Sequence, residues 1–284
     1  MCDLSMKKYY QKRNVLVLLC LSIAIIAGYS SIPDSALTSP ENKTLMQSQG
    51  IQGMSTNGTN IVLVHGAWAD GSSWNKVIPI LQNAGHNVIA VQLPEHSLAD
   101  DVETVKRAIE HIGGPAILVG HSYGGAVITD AGYNNPNVTG LVYVAAFAPD
   151  EGQSLSNFVD LAKLPKDLLI FDSGGFVYIN PAMFPGAFAQ DVDPAEAAVM
   201  AIVQKPINQS VLGEKSGPPA WKQLPTWYQI SESDHMIPPD AERLFAKQMN
   251  ATTLSINSSH ASPVSHPEEI AQLILNATKG SSTQ

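Results

Sequence analysis

Beyond residue 20 the sequence has no cysteine; the two it contains are Cys2 and Cys20. A body without thiols is held together by packing and hydrogen bonding rather than disulfides, and it offers no thiolate nucleophile. Charge is also sparse, at 14% of residues, and positive charge is the scarcer sign. Four of the 16 Lys and Arg residues (Lys7, Lys8, Lys12, Arg13) fall in the first 13 positions beside one acid, Asp3, so 12 basic residues face 24 acidic ones from residue 14 onward. Such an acidic body repels phosphate backbones, which excludes nucleic acid as the expected partner. No His-Glu-x-x-His segment and no Cys cluster occurs, so no metal site is expected, and no internal repeat is apparent.

The N-terminal apolar run is short as well. Residues 15–27, VLVLLCLSIAIIA, come after a basic stretch; at about 1.5 Å per residue they reach roughly 20 Å, less than a ~30 Å hydrocarbon core. Residues 1–30 therefore read as a signal peptide, or a signal anchor if uncleaved, and the expected location is secreted or extracytoplasmic, with membrane attachment only through this segment. Residues 31–58, rich in Ser, Thr, Asn, Gln and Gly without apolar periodicity, read as a flexible linker. Seven Asn-x-Ser/Thr sequons are present, at Asn42, Asn57, Asn137, Asn208, Asn250, Asn257 and Asn276. Nothing in the sequence fixes an oligomeric state.

From residue 59 onward the composition becomes a regular alternation. Short aliphatic runs (NIVLVHG, HNVIAVQLP, PAILVGHS, VTGLVYVAAFAP, PTWYQISESD, TTLSINSSH) are separated by segments with helical spacing, such as Leu98, Val102, Val105 and Ile109. That pattern predicts an α/β fold: a mostly parallel central sheet with helices on both faces. The core is expected over 59–150 and 220–280. Residues 151–219 break the rhythm and are expected to form an inserted helical lid.

One stretch carries chemistry. Gly120-His121-Ser122-Tyr123-Gly124 fits G-x-S-x-G where a strand gives way to a helix, a corner that lifts a serine hydroxyl clear of the sheet. A serine needs a base, and the base an orienting acid. His260 follows the last strand and Asp234 ends the one before; the order Ser122, Asp234, His260 places all three at strand ends on one edge of a parallel sheet. Glu232 and Asp150 remain alternative acids. His266 reads as a helix-entry residue, His235 as a turn neighbour, His65 as a brace, and His86, His96 and His111 as solvated. Backbone amides of Tyr123 and Ala67 are the expected oxyanion donors. Trp68, Phe176 and Phe184 are candidate pocket residues, within a set of insertion side chains that includes Tyr178, Met183 and Phe188.

These stretches, with VLVHGAWADGSSW, YVAAFAPDEGQSL, DHMIPPDAERLFAKQMNA and SSHASPVSHPEEIA, resemble the α/β-hydrolase superfamily. Within it they look like cofactor-free esterases akin to plant methylesterases and hydroxynitrile lyases and to their bacterial and archaeal relatives. The resemblance covers about residues 60–277. It implies a Ser-Asp-His triad on Ser122, Asp234 and His260, oxyanion amides on Ala67 and Tyr123, no cofactor, and a small-molecule ester as substrate. Lyases of this kind carry a Thr after the first-strand His and a Lys after the catalytic His; here Gly66 and Ala261 stand there, which argues against lyase activity. Two other readings use the same scaffold: a cofactor-free perhydrolase or haloperoxidase, and a noncatalytic ligand-binding protein.

Overall fold

The computed structural model describes residues 58–159 and 164–280; the expected leader and nearly all of the expected linker lie outside the described residues. Six strands form one sheet: β1 (Asn60–Val64), β2 (Asn87–Val91), β3 (Ala116–His121), β4 (Val138–Val144), β8 (Thr226–Ser231) and β9 (Thr252–Ile256). Their spatial order is β2-β1-β3-β4-β8-β9 and every pairing is parallel. The order reverses between β1 and β3, so the loops leaving these two strands part and open a crevice at the sheet's carboxyl edge.

The aliphatic runs are continuous because both faces are covered. With side chains alternating along each strand, Ile61, Leu63, Ile117, Val119, Val142 and Val144 face one way, onto Trp74, α1 (Val77–Asn83) and α7 (Pro267–Gly280). Val62, Val64, Leu118, Leu141, Tyr143 and Tyr228 face the other, onto α2 (Leu98–Ile112), α3 (Tyr123–Ala131) and α6 (Pro239–Gln248). Helix α2 shows how local signals and burial agree. Ser97 caps it by accepting from the Asp100 amide, Gly113 ends it at φ 71°, and Leu98, Val102, Val105 and Ile109 form its buried stripe.

The described residues of 151–219 add no strand to this sheet. The sequence predicts a largely helical insertion, and the structure adds a small sheet to its helices. It carries a three-stranded antiparallel sheet, β5 (Leu169–Phe171), β6 (Phe176–Ile179) and β7 (Ile207–Asn208), besides helices α4 (Phe184–Phe188) and α5 (Pro194–Val203). The physical reason is a hairpin: two β-prone aromatic and aliphatic runs flank Asp-Ser-Gly-Gly. Asp172 Oδ1 accepts from the Gly174 and Phe176 amides, and Gly175 takes φ 79°.

Candidate active site

Ser122 sits at the sharp turn between β3 and α3 with φ 52° and ψ −120°, a left-handed conformation that costs a non-glycine residue of order 1–3 kcal/mol. Close backbone packing enforces the turn. A Cβ at position 120 would lie 2.5 Å from the Gly124 carbonyl oxygen, and one at position 124 would lie 2.6 Å from the carbonyl oxygens of Val64 and His65. Only glycine fits at either place, and the chain has no way to relax around the serine.

The three sequence-predicted residues meet there. His260 Nε2 lies 2.8 Å from Ser122 Oγ, and His260 Nδ1 lies 2.5 Å from Asp234 Oδ2. A carboxylate only accepts, so Nδ1 carries the proton and Nε2 is free to accept the serine proton. Asp234 Oδ1 accepts from the Met236 and Ile237 amides, at 2.6 and 2.8 Å, which fixes the carboxylate plane. Burial opposes ionisation of Asp234, but the facing His260, the Ile237 amide and the Glu242 side chain outweigh it and hold the carboxyl below its usual value. All three side chains are buried, where such interactions are stronger than in water.

Neither alternative acid reaches the site: Asp150 pairs with Lys222, and Glu232 with Arg243. The other histidines do different work. His65 Nε2 accepts from the Leu93 amide and Nδ1 donates to the Gly66 carbonyl; burial pushes this histidine down to about 4, and it braces β1 against the segment after β2. His266 faces Asp191, His235 Nδ1 lies 3.0 Å from the Gly186 carbonyl, and His86 accepts from the Thr59 amide, while His96 and His111 are not buried.

Two further residues support the histidine: His121, which carries no signal of its own in the sequence, and Phe188, one of the insertion aromatics singled out there. His121 Nε2 donates to the His260 carbonyl at 2.8 Å, and burial together with the neighbouring His260 pushes the His121 ring down to about 3, keeping it neutral. Phe188 of α4 packs edge-on against His260 at 4.8 Å, and its carbonyl accepts from the Ala261 amide, so the insertion seats directly on the histidine.

A cavity of about 50 Å³ opens at Ser122. Ala67, Tyr123 and His260 line it with Trp68, Phe147, Val177 and Ile237, and its surface is mainly apolar. Tyr123 is the first residue of α3, so its amide has no partner within the helix and shares the positive end of the helix dipole. Trp68, at φ 61°, lines the cavity, and its Nε1 donates to the Val177 carbonyl of β6, tying the loop after β1 to the insertion. Phe176 and Phe184 are not among the residues lining this cavity; Phe184 lines a second cavity, of about 240 Å³, together with Trp68, His121 and Phe188. Neighbours on a strand point to opposite faces, so Val177 looks inward while Phe176 packs edge-on against His96. Phe184 is buried one ring further out, stacked on Phe188 at 4.8 Å. At position 66 a Cβ would fall 2.6 Å from Ser122 Cβ, leaving no room for the threonine of the lyases.

Residues 61–273 match the model of the alpha/beta hydrolase family. The chain is 27% identical over 250 residues to a pyrethroid hydrolase of Sphingobium wenxiniae, an alignment covering 76% of this chain and 86% of that one. It is 23% identical over 255 residues to polyneuridine aldehyde esterase of Rauvolfia serpentina, covering 76% and 94%. Among solved structures, an extracellular alpha/beta-hydrolase from a Paenibacillus species superposes with a TM-score of 0.69 at 22% identity, covering 78% of this chain and 99% of the other. With the sheet order, the elbow and a family match spanning most of its length all in agreement, the chain belongs to the alpha/beta hydrolase family, in the branch that includes the plant methylesterases.

Proposed function

We propose that the protein hydrolyses carboxylic esters of small molecules through an acyl-enzyme on Ser122. The observation that carries this reading is the unbroken hydrogen-bond chain from Asp234 through His260 to Ser122 Oγ, ending on an apolar cavity. His260 Nε2 takes the hydroxyl proton as Ser122 Oγ bonds to the ester carbonyl carbon, and the charge that develops on the carbonyl oxygen falls to the amides of Ala67 and Tyr123. Each such donor is worth about 10²–10³ in turnover. The ester C–O bond then breaks and His260 returns the proton to the departing alcohol. Water enters, gives a proton to His260 and attacks the acyl carbon; collapse of that second tetrahedral species frees the acid and restores Ser122. Asp234 stabilises the imidazolium throughout without taking the proton.

The cavity is small and lined mainly by apolar side chains, which favours a compact apolar group beside the nucleophile. Relatives named as pyrethroid and carbendazim hydrolysing enzymes support an ester-cleaving role, and the basic-then-apolar composition of residues 1–30 supports export. The test is labelling with a fluorophosphonate alongside hydrolysis of p-nitrophenyl esters of increasing acyl length. The expected result is a single adduct on Ser122 and turnover that falls with chain length. No adduct and no turnover on any ester would overturn the reading.

A further inference from the structure

Beneath the acid and base loops lies a buried polar network that plays no part in the proton transfers of ester cleavage. Glu242 of α6 is fully buried, and its Oε2 accepts from the Ser231 amide at 2.9 Å. The Ser231 carbonyl accepts in turn from the Asp234 amide at 3.2 Å. Ser231 Oγ accepts from Gln229 Nε2 and from the Ser258 hydroxyl, and Gln229 Oε1 accepts from the Ser262 hydroxyl, two residues past His260. Gln229, Ser231, Ser258 and Ser262 are each at most 1% exposed. One carboxyl therefore anchors the strand end that carries Asp234, and through it the loop that carries His260.

The network ends on a pair of carboxyls. No backbone or hydroxyl donor reaches Glu242 Oε1, and the Glu242 and Asp234 side chains are hydrogen-bonded to each other, an arrangement that needs a proton on one of them. The groups facing this carboxyl are the Asp234 carboxylate and, more weakly, Glu232 just past β8, whose charge Arg243 pairs from the solvent side; the Tyr228 hydroxyl faces it from β8 itself. Among the described residues no cation pairs with it. A second carboxylate beside Asp234 would be costly, because two like charges in a low-dielectric interior cannot both ionise cheaply.

We propose that Glu242 is a positioning residue for the Asp234–His260 pair and does this work as an uncharged carboxylic acid. It stays neutral, so Asp234 alone supplies the negative charge that His260 needs, while its carbonyl-like oxygen fixes Ser231. Burial and the Asp234 charge push the Glu242 carboxyl up to about 10. The inference rests on the acyl-enzyme reading for its catalytic meaning, but its protonation state is testable without any turnover.

The first measurement is therefore thermal stability. Glu242 ionises readily in the unfolded chain and resists ionisation in the folded one, so the folded state holds the extra proton and loses stability as pH rises through the interval between the two values. Glu242→Gln is neutral and isosteric and lacks this loss. Its melting temperature relative to wild type should climb steadily from about pH 5 to pH 9; a difference flat across that range would overturn the uncharged state. The second measurement is activity. Glu242→Gln should keep kcat/KM within about 3-fold and leave the acid limb of its pH profile in place, because no charge beside His260 has been removed. Glu242→Leu should lose roughly tenfold or more in kcat with KM little changed, since the Ser231 amide loses its acceptor. A shift of the acid limb in Glu242→Gln, or a folded Glu242→Leu with wild-type kcat, would overturn the positioning role. Failure of the ester-hydrolysis reading would show instead as inactive wild type with the pH-dependent stability difference intact.

Discussion

All residues of β3 and β8 are buried, whereas the insertion leaves Ile170, Phe171, Val199, Ile202 and Val203 between 45% and 75% exposed. The two regions touch the same cavity and contribute differently to it. The sheet supplies the atoms that react: Ser122 from the end of β3, Asp234 after β8, His260 after β9, each fixed by strand geometry, and the serine also by backbone packed too closely for a side chain. The insertion supplies walls and cover, Val177 and Leu169 on the cavity and Phe188 on the histidine. Substitutions in the first region should therefore cost rate, and those in the second should redirect selectivity.

The largest effects lie in the sheet region. Ser122→Ala should fold and melt as wild type yet lose about 10⁶ in kcat, the scale of removing a triad nucleophile; appreciable residual ester turnover in a contaminant-free preparation would show that the elbow serine is not the nucleophile. Asp234→Asn should cost about 10⁴ in kcat through the wrong histidine tautomer, while Asp150→Asn and Glu232→Gln, which break surface ion pairs, should leave kcat within about 2-fold. A large loss at Asp150 instead would move the acid to β4.

The same contrast explains what can be read in the sequence. Ser122, Asp234 and His260 are legible because each follows a short aliphatic run, and strand ends of a parallel sheet gather on one edge whatever the intervening chain does. The insertion has no such constraint, and its composition suggests helix although Asp172 to Gly175 between two β-prone runs is a hairpin signal. Phe176 stands out in the sequence for being aromatic, but which face a short strand turns inward depends on register, and that is set by pairing across the small sheet. Glu242 does carry a signal: Glu242, Phe245, Ala246 and Met249 fall on one helical stripe, so the glutamate stands among core positions. His121 is hidden inside the motif that singles out its neighbour.

Where the two regions are joined, the effect should be intermediate. Trp68→Phe keeps an aromatic ring and removes the Nε1 bond to the Val177 carbonyl. A lost hydrogen bond of this kind is worth about 0.5–1.5 kcal/mol, so kcat/KM should drop about 2- to 10-fold. If the loss appears only in melting temperature, the tether is structural and the loop after β1 does not depend on it.

Within the insertion the cavity wall should matter more than the aromatic side chains beside it. Val177→Ala and Leu169→Ala enlarge the space at Ser122, and a methylene in an apolar pocket is worth about 1–3 kcal/mol of discrimination. The ratio of butyryl to acetyl ester kcat/KM should therefore rise about tenfold or more, with the acetyl rate nearly unchanged. Phe176→Ala should change that ratio less than about 2-fold, because its ring lies on the outer face of β6 against His96. An equal shift from Phe176→Ala would mean that the outer face reaches substrate.

The smallest catalytic effect belongs to the outward stripe of α5. Ala195, Ala198, Val199, Ile202 and Val203 recur at helical spacing on its exposed side, so the helix is apolar there as well as on the side where Ala197 and Ala201 are buried. Ile202 contributes little burial to lose, since three-quarters of its surface is already in water. Ile202→Lys should therefore leave kcat/KM on a water-soluble ester unchanged and alter stability by no more than about 0.5 kcal/mol. It also breaks a contiguous apolar patch, so scattering measured at rising protein concentration should fall relative to wild type. A loss of turnover from this one exposed substitution would join the outer face of the insertion to the chemistry, and the division of labour between sheet and insertion would have to be redrawn.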